Sequence, residues 1–314
     1  MKSKKLYTGY KEYFLSDDIE VKVSLPQLNT DQSKDLVVDN EENEIIHYIN
    51  YSLQLSATHK FPYYTAANID GKLFKKISRK DNWRKDPRVL AEMQFGKELY
   101  APPQSNFDRG HMTKREDVQW GKNEGIALNA ADATFYYTNS VPQHQDLNRD
   151  IWRNLEDYIL HKEAKQKTLR ICVFTGPVLS DENPYLVFPI EDNLVRIPVL
   201  FWKVVVFQKE DGNLCRVGFM MSQNRLLIEH GIVDEYESTS TDSDLFMQFD
   251  DAETYQVNIS LIEQFSGLAM PSAIDAYTDS RSTKLVMKEI DIDPELESDS
   301  AEERLGFWIE GITF

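Results

Sequence analysis

FDRGHM, residues 107–112, follows the pair Pro102-Pro103 and sets an acid, an arginine, a glycine and a histidine side by side. Packing alone rarely asks for such a run. In an extended strand successive side chains alternate, so Arg109 and His111 point to one face while Asp108 and Gly110 point to the other. Arg109 is then suited to grip a phosphate through two parallel hydrogen bonds. Gly110, having no side chain, lets a phosphate or a backbone approach closely. His111 is the natural base, since an unperturbed imidazole titrates near ~6.5 and is neutral at working pH.

The charge around this stretch differs from that of the whole. The 314-residue chain carries a formal net charge of -17, which argues against a protein that coats nucleic acid by bulk attraction. From Lys72 to Lys122, however, 13 Lys or Arg face 7 Asp or Glu, a local +6 that leaves -23 for the remainder. FDRGHM lies inside that basic island, where an anionic substrate would be drawn. A mixed-charge solvated face is the plainer reading of the island taken alone. A hydrophobic content of 41% supports a substantial core. Neither a signal-peptide pattern nor an apolar stretch of about 18 residues is visible, so a cytoplasmic protein without a membrane span is expected. Cys172 and Cys215 each sit in an apolar strand-like run and are expected as reduced core residues.

Outward from the island, residues 1–44 mix a short apolar run with the polar segment NTDQSKDLVVDNEENE and read as an arm or linker. The main domain is expected over 45–285, with an acidic tail over 286–314. Two strands are expected in HYINYSLQLSATHKFPYYTAANIDG (47–71), and a further short one in ATFYYT (133–138). LRICVFTGPVL, VRIPVLFWKVVVFQ and LCRVGFMMS read as central strands, the last two joined by a turn at Asp211-Gly212. The clearest helical spacing is in LNRDIWRNLEDYILHKEAKQ, where Ile151, Trp152, Leu155, Tyr158 and Ile159 recur at three and four residues. A second helix is expected to stop at Gly267 and Pro271.

Phosphodiester hydrolysis near neutral pH needs a base for water, a cation at the non-bridging oxygens and help for the leaving oxygen. Asn148 opens the clearest helix and Glu156 follows eight residues later, about 80° around the helix axis, so both can lean toward one groove. A hard cation such as Mg²⁺ accepts one amide oxygen with water making up the rest, so Asn148 is a candidate ligand and Glu156 a candidate partner through water. Singly, each has a bland reading: an N-cap, an exposed acid, a structural histidine.

Taken together, FDRGHM and the later DATFYYTNSVPQHQDLNRDIWRNLEDY resemble the DNA/RNA non-specific endonuclease family. That family's signature is D-R-G-H, then T-N or S-N before P-Q, then L-N, W and L-E on one helix, and every position is filled here. Weaker similarity runs over roughly residues 60–270, through YYTAANIDG, RKDNWRKDP, VFTGPV, IPVLFWKVVV and IEQFSGL. The resemblance implies an α+β, ββα-metal (His-Me finger) fold with a central, mainly antiparallel sheet flanked by helices. It implies His111 as general base, Asn148 as the Mg²⁺ ligand, with Mn²⁺ as a substitute, and Glu156 steadying the metal's water. It also implies Arg109 on phosphate and Asn139 arranging the site, while Asp108 fixes the loop.

The family's upstream arginine falls in RKDNWRKDP, with Arg79 preferred over Arg84. Lys114 and Arg115 are further phosphate contacts in a loop, MTKRED, that departs from the Ala-Pro many relatives carry after the histidine. The expected activity is Mg²⁺-dependent cleavage of DNA or RNA to 5′-phosphate and 3′-hydroxyl ends. A homodimer, and a regulatory or inhibitory protein partner, are compatible with that family. Two rival readings are a catalytically idle binding module on the same fold and a phosphodiesterase for small nucleotides.

Overall fold

The computed structural model describes residues 7–16, 21–100, 107–145, 147, 155, 156, 159, 169–233, 249–251, 253–291, 305–310, 312 and 313, with 286–291 and 305–310 as backbone only. The strands in chain order are β1 (Ile46–His47), β2 (Tyr51–Leu55), β3 (Pro62–Asp70), β4 (Phe107–His111), β5 (Ser140–His144) and β6 (Arg170–Pro177). They continue with β7 (Leu200–Gln208), β8 (Leu214–Ser222), β9 (Tyr255–Val257), β10 (Ile274–Asp275), β11 (Thr283–Lys284), β12 (Val286–Asp291) and β13 (Leu305–Glu310). The described helices are short: α1 (Thr30–Lys34), α2 (Lys97–Tyr100), α3 (Glu124–Ala133), α4 (Asn224–Glu229) and α5 (Ile259–Ser266).

One nine-stranded sheet runs β1-β2-β3-β6-β7-β8-β9-β11, with β10 also beside β8. All its pairings are antiparallel except β10 with β8. The central strands are buried on both faces, which is why LFWKVVVF reads as a near-continuous apolar run and shows no alternation. Successive residues Ala66 and Ala67 of β3 enter different hydrophobic clusters, one on each side of the sheet. The turn expected at Asp211-Gly212 is present: Gly212 takes φ 86°, the left-handed region that glycine reaches without strain, and its N–H donates to the Lys209 carbonyl. Helix α5 ends as expected at Gly267, φ 71°. Both cysteines are buried free thiols.

Three parts differ from expectation. Of residues 1–44, expected as an arm, the described stretches 7–16 and 21–44 contribute Tyr10, Phe14 and Val23 to the main core, and Gln27 exchanges backbone hydrogen bonds of 2.9 Å with Ala269. The segment is polar on average, yet part of its apolar content is buried, although Tyr13 and Val38 stay exposed. The strand expected over 133–138 is absent: α3, capped by the Asn123 side chain on the Ile126 N–H, ends at Ala133, and strand structure resumes at Ser140. The Thr134 and Phe135 N–H groups still donate back to Ala131 and Asp132, so the aromatic run leaves the helix as a turn and its rings form a wall. Third, the expected tail contains a strand pair, β12 with β13, and Thr313 exchanges hydrogen bonds of 2.8 and 3.0 Å with the buried Gln256 side chain.

The helix expected after β5 falls mostly outside the described residues. Within it Leu147, Leu155, Glu156 and Ile159 are helical, as is Gln145 just ahead of it, and the three apolar residues are buried. No described helix is long and apolar enough to cross a membrane.

Candidate active site

β4 and β5 form a separate two-stranded ribbon in which Asp108 lies opposite Gln143, Arg109 opposite Pro142, Gly110 opposite Val141 and His111 opposite Ser140. The expected alternation follows, with Arg109 and His111 on one face and Asp108 and Gly110 on the other. Gly110 is required locally, because a Cβ there would collide with the Gln143 side chain, itself wholly buried. Gly110→Ala is therefore expected to lower unfolding free energy by about 1–3 kcal/mol. Urea titration should find most of that loss recovered in Gly110→Ala/Gln143→Ala, and no recovery would disprove the collision.

His111 is half-buried in an aromatic corner, its ring centroid 4.6 Å from Trp83 and 5.2 Å from Phe135. Its Nε2 is buried and has no hydrogen-bond partner. A polar atom in that state marks a place for water or a substrate oxygen. Burial pushes the imidazole down to about 3; the Arg79, Arg115 and Lys114 charges act in the same direction and Asp81 opposes them. The ring is thus neutral and able to accept a proton.

Asn139 acts on this corner from beneath. Wholly buried, it accepts from the Thr113 N–H at 2.9 Å and donates to the Thr113 and Thr134 carbonyls, while its own carbonyl accepts from Met112. It fixes the turn that follows His111.

The candidate cations divide into two groups. Arg109 reaches between the Trp83 and Tyr100 rings, 5.8 Å from each centroid, and its buried Nε has no hydrogen-bond partner. Arg79, half-exposed, donates to Asp81 at 2.8 Å, and both charges act on His111. Arg84 is instead held in the wall by Asp132 at 2.6 Å and by the Tyr136 ring at 4.1 Å. Arg115 donates to the Ile77 carbonyl at 2.9 Å and to Gln119 at 2.6 Å. Lys114 pairs with Glu116 at 3.3 Å. The local positive charge is therefore in good part neutralised within the wall.

Glu156 is buried, 8% exposed, and accepts from the Lys203 ammonium at 3.3 Å. Lys203 also donates to Thr175 Oγ1 at 2.8 Å. Asp117 belongs to the same group: burial pushes its carboxyl up to about 7, Lys203 pulls it down, and Glu156 pushes it up. Asn148 lies outside the described residues.

The oxygen donors present suit a hard, hydrated divalent ion. Glu156 offers a carboxylate; the buried Gln143 amide, without a hydrogen-bond partner at either end, lies on the Asp108/Gly110 face of the ribbon and not with His111. Among the described residues no three His, Cys, Asp or Glu side chains make a metal-holding cluster. An ion held by one or two oxygens and water is the kind this donor set admits.

Sequence reasoning passed over Trp83, Phe135, Asp117 and Lys203. Of these only Lys203 left a clear signal, a single charge within an apolar strand run.

The chain matches the family described as DNA/RNA non-specific endonuclease over residues 33–276. It is 32% identical over 229 residues to the uncharacterized protein y4fB of Sinorhizobium fredii, across 69% of this chain and 33% of that protein. It is 31% identical over 116 residues to human mitochondrial endonuclease G, across 35% of this chain and 36% of that one. The matched part therefore spans only about a third of the length of either relative. In three dimensions it resembles a chain in the crystal structure of an EndoG/EndoGI complex, with a TM-score of 0.52, 21% identity, and coverage of 73% of this chain and 85% of that one. That likeness gives the fold, an α+β ββα-metal arrangement with a mainly antiparallel sheet and few helices. With the family's description covering most of its length, this chain belongs to the DNA/RNA non-specific endonucleases.

Proposed function

We propose that the protein is a metal-dependent, sugar-nonspecific endonuclease that hydrolyses phosphodiester bonds of DNA and RNA, leaving 5′-phosphate and 3′-hydroxyl ends. The observation that carries this reading is the neutral His111 imidazole, with a partnerless Nε2, on the same ribbon face as the partnerless Arg109 Nε. His111 takes the proton of the attacking water. Arg109 holds the phosphate, and Arg79, half-exposed and paired with Asp81, adds a positive charge that acts on His111.

Asn148 would hold a divalent ion directly and Glu156 through water. When bound, such an ion supplies neutralisation of the charge that builds on the phosphorus oxygens and the leaving oxygen. Nothing on this ribbon offers a pattern of base readout, so the reading entails weak sequence preference. A protein inhibitor belongs to the fold neighbour's complex, and a partner of that kind for this chain is part of the same proposal.

The test is digestion of single- and double-stranded DNA and RNA by purified protein with Mg²⁺, over a salt series and beside a dinucleotide ester. Long substrates should be cut, more slowly as salt rises, because phosphate contacts release counterions. Binding without cleavage would favour the idle module, and preference for the dinucleotide would favour a small-substrate phosphodiesterase.

A further inference from the structure

Lys203 sits in the middle of β7, LFWKVVVFQ, and is 1% exposed. An ammonium buried so deeply is costly unless paired and hydrogen-bonded. β7 is paired on both sides, with Thr175 of β6 and Phe219 of β8 directly opposite Lys203. Its backbone is thereby fixed in the interior of the sheet. From that anchor the ammonium donates to Thr175 at 2.8 Å and to Glu156 at 3.3 Å. The β4-β5 ribbon is separate from the sheet in its strand pairing, while the Lys203 contact ties Glu156 to the rigid core of the sheet. Stability alone does not call for a lysine here, since replacing a buried ion pair by apolar residues of similar volume is often neutral or stabilising.

We propose that Lys203 is a positioning residue: its ammonium, braced by Thr175, holds the Glu156 carboxylate in the orientation from which Glu156 acts on the water of a bound divalent ion. This rests on the nuclease reading above. Asp117 is a second buried carboxylate on which the Lys203 charge acts.

The test uses Lys203→Met, Lys203→Arg, Glu156→Gln and the Lys203→Met/Glu156→Gln pair. The readouts are kcat and KM on plasmid DNA, and Mn²⁺ affinity by electron paramagnetic resonance without nucleic acid. Lys203→Met should lower kcat and weaken Mn²⁺ binding by roughly 10–100-fold each, the usual cost of removing a group that orients a metal's partners. KM should stay within about twofold; the melting temperature of Lys203→Met should fall, because Glu156 loses its buried partner, and should recover in large part in the Lys203→Met/Glu156→Gln pair. Lys203→Arg should recover part of both losses. In the Glu156→Gln background, Lys203→Met should change kcat by less than about threefold, because the two groups act as one unit. That double variant has no unpaired buried carboxylate at position 156, and it reports even if the single Lys203→Met does not fold. Unchanged kcat and Mn²⁺ affinity in Lys203→Met, or losses that multiply in the double variant, would overturn the inference. Wild-type protein that cuts no nucleic acid with Mg²⁺ or Mn²⁺ would instead overturn the nuclease reading itself.

Discussion

His111→Ala is expected to reduce kcat on DNA and RNA by about 10²–10⁴-fold, the range that a positioned general base contributes. Because alanine leaves a hole beside Trp83 and Phe135, His111→Asn serves as the partner variant, filling more of the corner without restoring an equivalent base. Both should be inactive while binding DNA nearly as well as wild type, in a gel-shift assay with Ca²⁺. Full activity in either would remove His111 from the chemistry.

The same residue governs acid sensitivity. Its folded-state value is pushed down to about 3, against about 6.5 in the unfolded chain. Between those values the unfolded state binds the extra proton, so stability is lost as pH falls below about 6.5 and recovered as it rises. Urea unfolding at about pH 7 and pH 5 should show a larger loss for wild type than for His111→Asn. The acid limb of kcat/KM should likewise fall below the ordinary histidine range, since the base stays unprotonated there. An acid limb centred near 6.5 that disappears in His111→Asn would contradict the buried, cation-flanked setting of the ring.

Removing the metal is the second large effect. Chelation should lower the rate by roughly 10³-fold or more, since neutralising the transition-state charge is worth several kcal/mol and each ~1.4 kcal/mol is tenfold. Excess Mg²⁺ should restore the wild type. Asn148→Ala should remain impaired at raised Mg²⁺, because the amide oxygen proposed to hold the ion directly is gone. Undiminished cleavage after exhaustive chelation would exclude a metal-dependent mechanism, whereas wild-type Mg²⁺ response in Asn148→Ala would displace only the ligand.

Much of the catalytic ribbon was legible because strand alternation is a local rule. D-R-G-H in an extended segment puts Arg109 and His111 on one face wherever the ribbon lies. The central strands were legible as well, since a sheet covered on both sides needs continuous apolar runs. Less legible was the split among the cations: charge counts treat Arg84, Arg115 and Arg79 alike, and only the contacts of the first two with Asp132, Tyr136, Ile77 and Gln119 set them apart. The aromatic run ATFYYT has strand composition, yet packing around His111 turned it into a wall, an instance of tertiary context overriding propensity.

By itself the sequence determined the candidate reactive groups, their alternation along β4 and the apolar strands that form the sheet, because these follow from side-chain chemistry and from contacts between near neighbours in the chain. Tertiary structure alone decided that His111 is neutral and that Glu156 is braced by Lys203, 47 residues away. It also decided that Tyr10, Phe14 and Val23, from a segment polar on average, belong to the core. Desolvation and ion pairing depend on what distant segments bring to the same few ångströms, and no local rule of composition or spacing contains that information.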